Sequence, residues 1–504
     1  MSRNLYALFQ SRFPKDLSAP CLMDANGVGI SYGALDEKTA KMAGCLLGLG
    51  VKKGDRVAVQ ADKSQEAVVL YLACLRAGAV YLPLNTAYTA DELDYFLSDA
   101  TPVIVVCDPK MEAALKPIVT HNKLSHLLTL DGDGLGSLMA AFEKAVSKNE
   151  ICEVEGDELA AILYTSGTTG RSKGAMLSHD NLSSNAEVLH KYWGWVEGDV
   201  LLHALPIFHV HGLFVALHCA LMNGSAMWFL PKFDPAVICK LLPKSTVMMG
   251  VPTFYTRLLD YDGFKADICK NMRLFISGSA PLLEETFNHF KSKIGMSILE
   301  RYGMTEAGMI TSNPLNGARV AGTVGYPLPG VRARLRDENG LPVSEGEPGV
   351  LEITGPNVFK GYWQMPEKTA EEFSKDGFFI TGDIATIAND GRIAIVGRAK
   401  DLIISGGYNV YPKEIELIID DVAGVKESAV IGLSHPDFGE AVFAVIVKDG
   451  TIDIDAAGVK DCIQGKLAMF KQPKSIVFVD ELPRNTMGKV QKKTLREIYA
   501  KLFK

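Results

Sequence analysis

The chain has 504 residues, more than a single hydrophobic core comfortably serves, so at least two domains are expected, one much the larger. Hydrophobic residues at 47% and charged residues at 22% exclude long disordered stretches. The formal net charge of -7 argues against nucleic acid as a partner and gives an anionic substrate no general attraction, so a bound carboxylate must rely on a few local cations.

The nine cysteines are scattered and never spaced as CxxC, which suggests neither a disulfide framework nor a zinc site. The opening MSRNLYALFQSRFPKD lacks the apolar run of a secretory signal. The apolar stretch FVALHCALMNGSAMWFL is interrupted by His218, Asn223, Gly224 and Ser225 and reads as core rather than as a membrane span. No membrane contact is expected, and the default location is the cytoplasm. Nothing in the composition sets an oligomeric state.

In chain order, RVAVQAD reads as a strand, SQEAVVLYLACLRAG as a helix and PVIVVCD as a strand, and the alternation resumes at VMMGVP, TFYTRLLDY and RLFISGS. This predicts an α/β architecture with mainly parallel strands. Beyond residue 320, GVRARLRDENG, GVLEITG and GRIAIVG read as short strands with frequent turns, a small β subdomain. A boundary is expected within GRAKDLIISGG, giving a large N-terminal domain, 1–398, and a small mobile α+β C-terminal domain, 399–504. In that tail KEIELIID and AGVKDCIQGKLAMF read as helices, SAVIGL, AVFAVIV and KSIVFV as strands, and LPRNTMGKVQK as a loop before a last helix.

The strongest chemical signal is AAILYTSGTTGRSKGAMLSH, an apolar strand running into a donor-rich loop. Glycines let backbone approach a polyphosphate, the hydroxyls of Thr165, Ser166, Thr168 and Thr169 donate to its oxygens, and Lys173 adds a cation. A surface hairpin loop is the plain alternative. The spacing is not GxxxxGK[ST], because Ser172 stands where the second glycine belongs, which weakens kinase and P-loop ATPase readings.

YTSGTTGRSKG resembles the signature of the adenylate-forming superfamily of acyl-CoA synthetases, luciferases and peptide-synthetase adenylation domains, and further motifs agree in the expected order. The resemblance implies that Thr165, Ser166, Gly167, Thr168, Thr169, Gly170 and Lys173 cradle the phosphates of ATP. It implies that the turn SGSAPL, with Ser277, Gly278, Ser279 and Ala280, borders the adenine and the acyl group. In YGMTE it implies that Tyr302 and Gly303 contact the base, Thr305 reaches the α-phosphate and Glu306 binds Mg2+. Asp383 of TGD, helped by Arg398, would hold the ribose. Lys489 in PRNTMGKVQK would be the catalytic lysine of the first step, and Lys400 the hinge. Gly406 and Gly407 would leave room for the pantetheine arm of coenzyme A. The implied reaction is an ATP-dependent acid-thiol ligation through an acyl-adenylate, with coenzyme A as co-substrate.

Stretches such as HALPIFHVHGLF and MGVPTFYTRLL are similar to the malonyl-CoA synthetases of that superfamily, which implies a dicarboxylate, malonate or methylmalonate. A second carboxylate buried without a cation costs several kcal/mol. Arg257, one turn into the helix that opens at Pro252, is expected to bind that carboxylate, with a solvent-facing side chain as the plain alternative, and Arg273 is the next candidate. His209 is either a wall of the pocket or a core histidine, and His211 carries no assigned role. A synthetase for a medium-chain or aryl acid, and an adenylation enzyme that loads a carrier protein, are the competing readings. A catalytically silent regulator would be expected to lack Glu306 or Lys489, and both are present.

Overall fold

A computed structural model describes residues 2–165, 172–337, 339–405, 408–435, 438–464, 466–467, 469–485 and 488–503, without the side chains of Tyr408 and Asn409. The chain divides into two compact units, one of Met1–Ala321, Gly325–Arg332 and Thr354–Phe379, the other of Gly322–Val324, Ala333–Ile353 and Ile380–Lys504.

Among the described residues the first unit holds two large sheets. The six-stranded sheet runs His126–Thr129, Ile104–Cys107, Arg56–Gln60, Val80–Pro83, Leu159–Thr165, Lys173–Ser178. Its strands are parallel except the last, which pairs antiparallel with Leu159–Thr165 and sets Thr165 opposite Lys173. The nine-stranded sheet is parallel from Leu299–Met304 through Leu274–Ser277, Val247–Gly250, Val200–His203 and Ala226–Phe229 to Pro20–Met23, with antiparallel strands at both edges. Both sheets therefore present carboxyl ends of parallel strands, where open α/β sheets bind ligands.

The expected helix at SQEAVVLYLACLRAG spans Gln65–Ala77. Ser64 caps it by accepting from the Ala67 amide, and Gly78 closes it at φ 73°, a left-handed value glycine tolerates without Cβ strain. The helix is buried on every side, and its Arg76 pairs with Asp36 at 2.9 Å. The helices Pro252–Leu259 and Glu284–Ile294 share a core of Tyr255, Phe275, Phe287 and Phe290 with the strand Leu274–Ser277.

The second unit holds a four-stranded sheet in the order Arg332–Arg336, Gly349–Thr354, Phe379–Ile387, Ile393–Arg398, the small β subdomain. It also holds an α+β segment in which Val425–His435 and Gly439–Lys448 pair antiparallel and Ser475–Val479 joins parallel to the latter. Helices Pro412–Asp420, Ala456–Ile463 and Lys492–Ile498 complete it. The helix read across AGVKDCIQGKLAMF is shorter than expected. It ends at Ile463, because Gln464 turns to extended backbone (ψ 131°) and bridges to Leu467, and a glycine follows it in sequence.

Candidate functional site

The donor-rich segment connects the two strands of an antiparallel hairpin. Ser166, Gly167, Thr168, Thr169 and Gly170 lie outside the described residues, but both ends of the loop are placed. At one end the Thr165 hydroxyl donates to Glu306 Oε1 at 3.4 Å. At the other, Lys173 Nζ donates to Glu372 Oε1 at 2.5 Å and sits 4.1 Å from the centre of the Tyr362 ring.

YGMTE forms a second hairpin, with Tyr302 opposite Thr311 and Met304 opposite Gly308, so Thr305 and Glu306 occupy its tip. A hairpin tip is normally wet, yet Glu306 is only 6% exposed. The Tyr362 hydroxyl reaches its Oε1 at 3.1 Å, and the Phe359 amide donates to its carbonyl at 2.7 Å. Gly303 is required at its position, because a Cβ there would stand 2.1 Å from the Gly308 carbonyl oxygen. A buried carboxylate presented by hydroxyl donors is the hard oxygen ligand that suits Mg2+.

Ser277 ends the strand Leu274–Ser277, and its buried hydroxyl has no hydrogen-bond partner among the described residues. Gly278 lies against the Arg301 guanidinium so closely that a Cβ would stand 2.4 Å from Nη1. Ser279 follows at φ 73°, a strained value for a side chain with Cβ, and its hydroxyl is 3.2 Å from His211 Nδ1. Ala280 completes the turn.

Arg301, which sequence reasoning passed over, is 2% exposed, and neither its Nε nor its Nη2 has a hydrogen-bond partner among the described residues. Burial, opposed by Tyr255, Cys219 and Glu300, pushes its pKa down to about 9. A buried hydrogen-bonded chain runs from Lys63 through His203. Lys63 Nζ donates to His203 Nδ1 and to the His203 carbonyl, both at 2.8 Å, and His203 Nε2 donates to the Gly212 carbonyl at 2.9 Å. Burial, then the neighbouring Arg301 guanidinium, drives the His211 pKa well down, so His211 is neutral. Its Nε2 is also without a partner. His209 is half-buried and accepts from the His211 amide at 3.2 Å through Nδ1.

Pro252–Leu259 is a helix with proline at its first turn, as expected, and it buries Tyr255, Leu258 and Leu259. Arg257 lies off that buried face and is exposed. Arg273, the fallback candidate, is already engaged: its guanidinium forks onto the buried Asp199 and donates to the Trp193 carbonyl at 3.2 Å.

In the second unit Asp383 and Arg398 are register partners on adjacent strands, joined at 2.6 Å, and Asp383 is 2% exposed. Gly382 holds φ 69° beside it, a left-handed value that the motif's glycine supplies. Lys400 is the middle of a short 3-10 turn, Ala399–Asp401, whose Asp401 pairs with Arg496 at 2.7 Å. Gly406 and Gly407 lie outside the described residues. Lys489 stands on a loop closed by the Asn485 side chain, which accepts from the Lys489 amide at 2.9 Å. Its side chain as a whole is exposed, but its ammonium is desolvated and faces Arg398 and Lys400. Against the opposing pull of Asp383 and Asp401, this takes its pKa down to about 8.

Thr165, Lys173 and Glu306 thus lie together in the first unit, and Asp383, Arg398 and Lys489 lie in the second. The AMP-binding enzyme family model matches residues 9–363, and that of the AMP-binding enzyme C-terminal domain matches residues 414–489. The chain belongs to the AMP-binding enzyme family. Within that family it is 33% identical over 553 aligned residues to a malonate--CoA ligase of Arabidopsis thaliana, covering 98% of this chain and 89% of that one. It is 35% identical to a mitochondrial malonate--CoA ligase of Mus musculus, covering 92% and 85%. Among solved structures, ATP-bound MatB from Rhodopseudomonas palustris superposes with a TM-score of 0.97 at 54% identity over 100% of both chains. The α/β fold with a smaller C-terminal α+β region is thus that of adenylate-forming enzymes. Among the described residues no helix is long and apolar enough to cross a membrane.

Proposed function

We propose that this chain is an AMP-forming acid-thiol ligase that converts malonate, ATP and coenzyme A to malonyl-CoA, AMP and pyrophosphate through malonyl-adenylate. The observation that carries the choice of acid is Arg301, a buried guanidinium with two nitrogens lacking protein partners, packed against the SGSAPL turn. Leaving such donors unmatched is costly in a folded protein, and a carboxylate is the ligand that a forked guanidinium fits. Ser277, with its own unmatched hydroxyl, and neutral His211, bonded to Ser279 of the same turn, suit the same anion. Arg257 is exposed, which makes it a weaker partner for that carboxylate. A monocarboxylic or aryl acid would leave Arg301 unpaired.

In the first step a malonate oxygen attacks the α-phosphorus and pyrophosphate departs. The loop from Thr165 to Lys173 holds the phosphates, Thr305 contacts the α-phosphate, and Tyr302 with Gly303 borders the base. Asp383 and Arg398 bind the ribose. Glu306 is the residue that would hold Mg2+, which when bound neutralises charge on the triphosphate. Lys489 offsets the charge that develops at the α-phosphate, and His209 lines the acyl side. In the second step the thiol of coenzyme A attacks the acyl carbon and AMP leaves. For this we place the boundary between fixed and mobile parts at residues 398 and 399, with Lys400 as pivot and the Gly406-Gly407 segment beside the pantetheine arm. All nine cysteines are free, as suits a reducing compartment, and we place the enzyme in the cytoplasm.

The test is pyrophosphate release, with coenzyme A present, across malonate, methylmalonate, acetate, butyrate and coumarate. Malonate or methylmalonate should give the highest kcat/KM. A larger value for butyrate or coumarate would overturn the dicarboxylate assignment and leave the ligase assignment standing.

A further inference from the structure

Glu372 belongs to none of the motifs, yet it stands in a charge network that links Thr165 and Lys173, the two ends of the donor-rich loop. Its Oε1 accepts from Lys173 Nζ at 2.5 Å and its Oε2 from the Tyr362 hydroxyl at 2.7 Å. Lys368, one turn earlier on the same segment, approaches it at 3.4 Å. The same Tyr362 hydroxyl reaches Glu306 Oε1 at 3.1 Å, and Thr165 reaches that oxygen at 3.4 Å. The two ends of the loop are therefore joined by a path of contacts: Thr165, Glu306, Tyr362, Glu372, Lys173.

We propose that Glu372 is a positioning residue for ATP: it fixes Lys173 at the base of the loop and, through Tyr362, sets the spacing between that cation and the carboxylate of Glu306. The inference rests on the reading of this loop as the ATP site.

Three physical points support it. A free lysine has four rotatable side-chain bonds, and aiming it at a phosphate costs most of that freedom. Here the ammonium is held by a charge-assisted hydrogen bond and by the face of the Tyr362 ring, with both ion-pair partners mostly buried, 15% exposed for Lys173 and 22% for Glu372. Secondly, a phenol has one proton to donate, so Tyr362 cannot satisfy both carboxylates fully. The shared hydroxyl therefore couples the two carboxylates, so a change at Glu372 is felt at Glu306 through the single oxygen of Tyr362. Thirdly, the titration behaviour agrees with the geometry. Desolvation would raise the Glu372 pKa, but hydrogen bonds from Lys173 and Tyr362 outweigh it and hold the group below the usual carboxylate range.

A merely structural ion pair would stabilise the fold and leave nucleotide affinity alone. The experiment separates the two by a double-mutant cycle on equilibrium binding of α,β-methylene-ATP with Mg2+, read by calorimetry without turnover. Glu372→Gln should weaken binding about tenfold, the scale of losing one hydrogen bond to a charged group, while KM for malonate stays within about twofold. In a Lys173→Met background the same change should cost less than about twofold, because Glu372 acts through Lys173. Tyr362→Phe deletes only the bridging oxygen and should weaken binding about threefold or more. It serves as the independent probe if Glu372→Gln fails to fold. Unchanged or tighter binding in Glu372→Gln, a full tenfold loss repeated without Lys173, or unchanged binding in Tyr362→Phe would each overturn the proposal. Absence of analogue binding by the wild type would instead sink the ATP-site reading beneath it.

Discussion

Replacing Arg301 by methionine keeps most of the side-chain bulk and removes the charge that the acid assignment depends on. A buried, hydrogen-bonded guanidinium-carboxylate contact is worth about 2 to 5 kcal/mol when one partner is deleted. The kcat/KM for malonate should therefore fall about thirty- to several-thousandfold. Butyrate, with a methyl in place of the second carboxylate, should react as well as before or better. The ratio of the two constants cancels general losses in ATP binding. Stability gives an independent reading. Burial depresses the Arg301 pKa to about 9, so the unfolded chain binds its proton more tightly than the native one. Below about pH 9 the group is charged in both states and the native protein carries the full penalty, which fades only as pH rises from there toward the ordinary arginine range. At neutral pH the variant, free of malonate, should then melt no lower than the wild type. An unchanged malonate-to-butyrate ratio, or a parallel loss for both acids with a lower Tm, would refute the reasoning.

Arg257→Met should lower the same ratio only about fivefold or less, because its guanidinium is exposed; a loss as large as that of Arg301→Met would reverse their order. Lys489→Ala should cut adenylation, followed by pyrophosphate exchange, by about a hundredfold or more, while thioester formation from supplied malonyl-adenylate survives. With its pKa pushed down to about 8, Lys489 loses its proton as pH rises through that value, so wild-type adenylation should decline above about pH 8; a flat profile to pH 10 would contradict its role as a charge stabiliser. Lys400→Pro, which fixes the backbone torsion at the pivot, should block thioester formation while adenylation continues, and equal rates for both steps would remove the hinge assignment.

Local signals made much of this legible. Proline at the start of Pro252–Leu259, and the serine and glycine that bound Gln65–Ala77, mark helices because their effects act within a few residues. The motif loops were readable because donors, glycines and a lysine cluster within one short stretch. Arg301 was not, although it stands beside Tyr302 in a quoted motif. Its importance comes from Gly278 packing on its guanidinium, a contact between residues 278 and 301 that no periodicity announces. Glu372 was hidden for the same reason: PEKTAEEF reads as an ordinary charged helix until Tyr362 and Lys173 are seen to converge on it. The over-long helix after Ala456 shows the opposite error, an apolar pattern extended through a residue whose backbone had already turned to strand.

The most direct test of the account follows the oxygen that adenylation must move. Malonate labelled with oxygen-18 in its carboxylates is turned over with ATP and coenzyme A, and the nucleotide product is examined by mass spectrometry. AMP should carry a single labelled oxygen for each malonyl-CoA formed, because the attacking carboxylate oxygen stays on the α-phosphorus when the thiol displaces AMP. Unlabelled AMP, or label in inorganic phosphate alongside ADP, would contradict it.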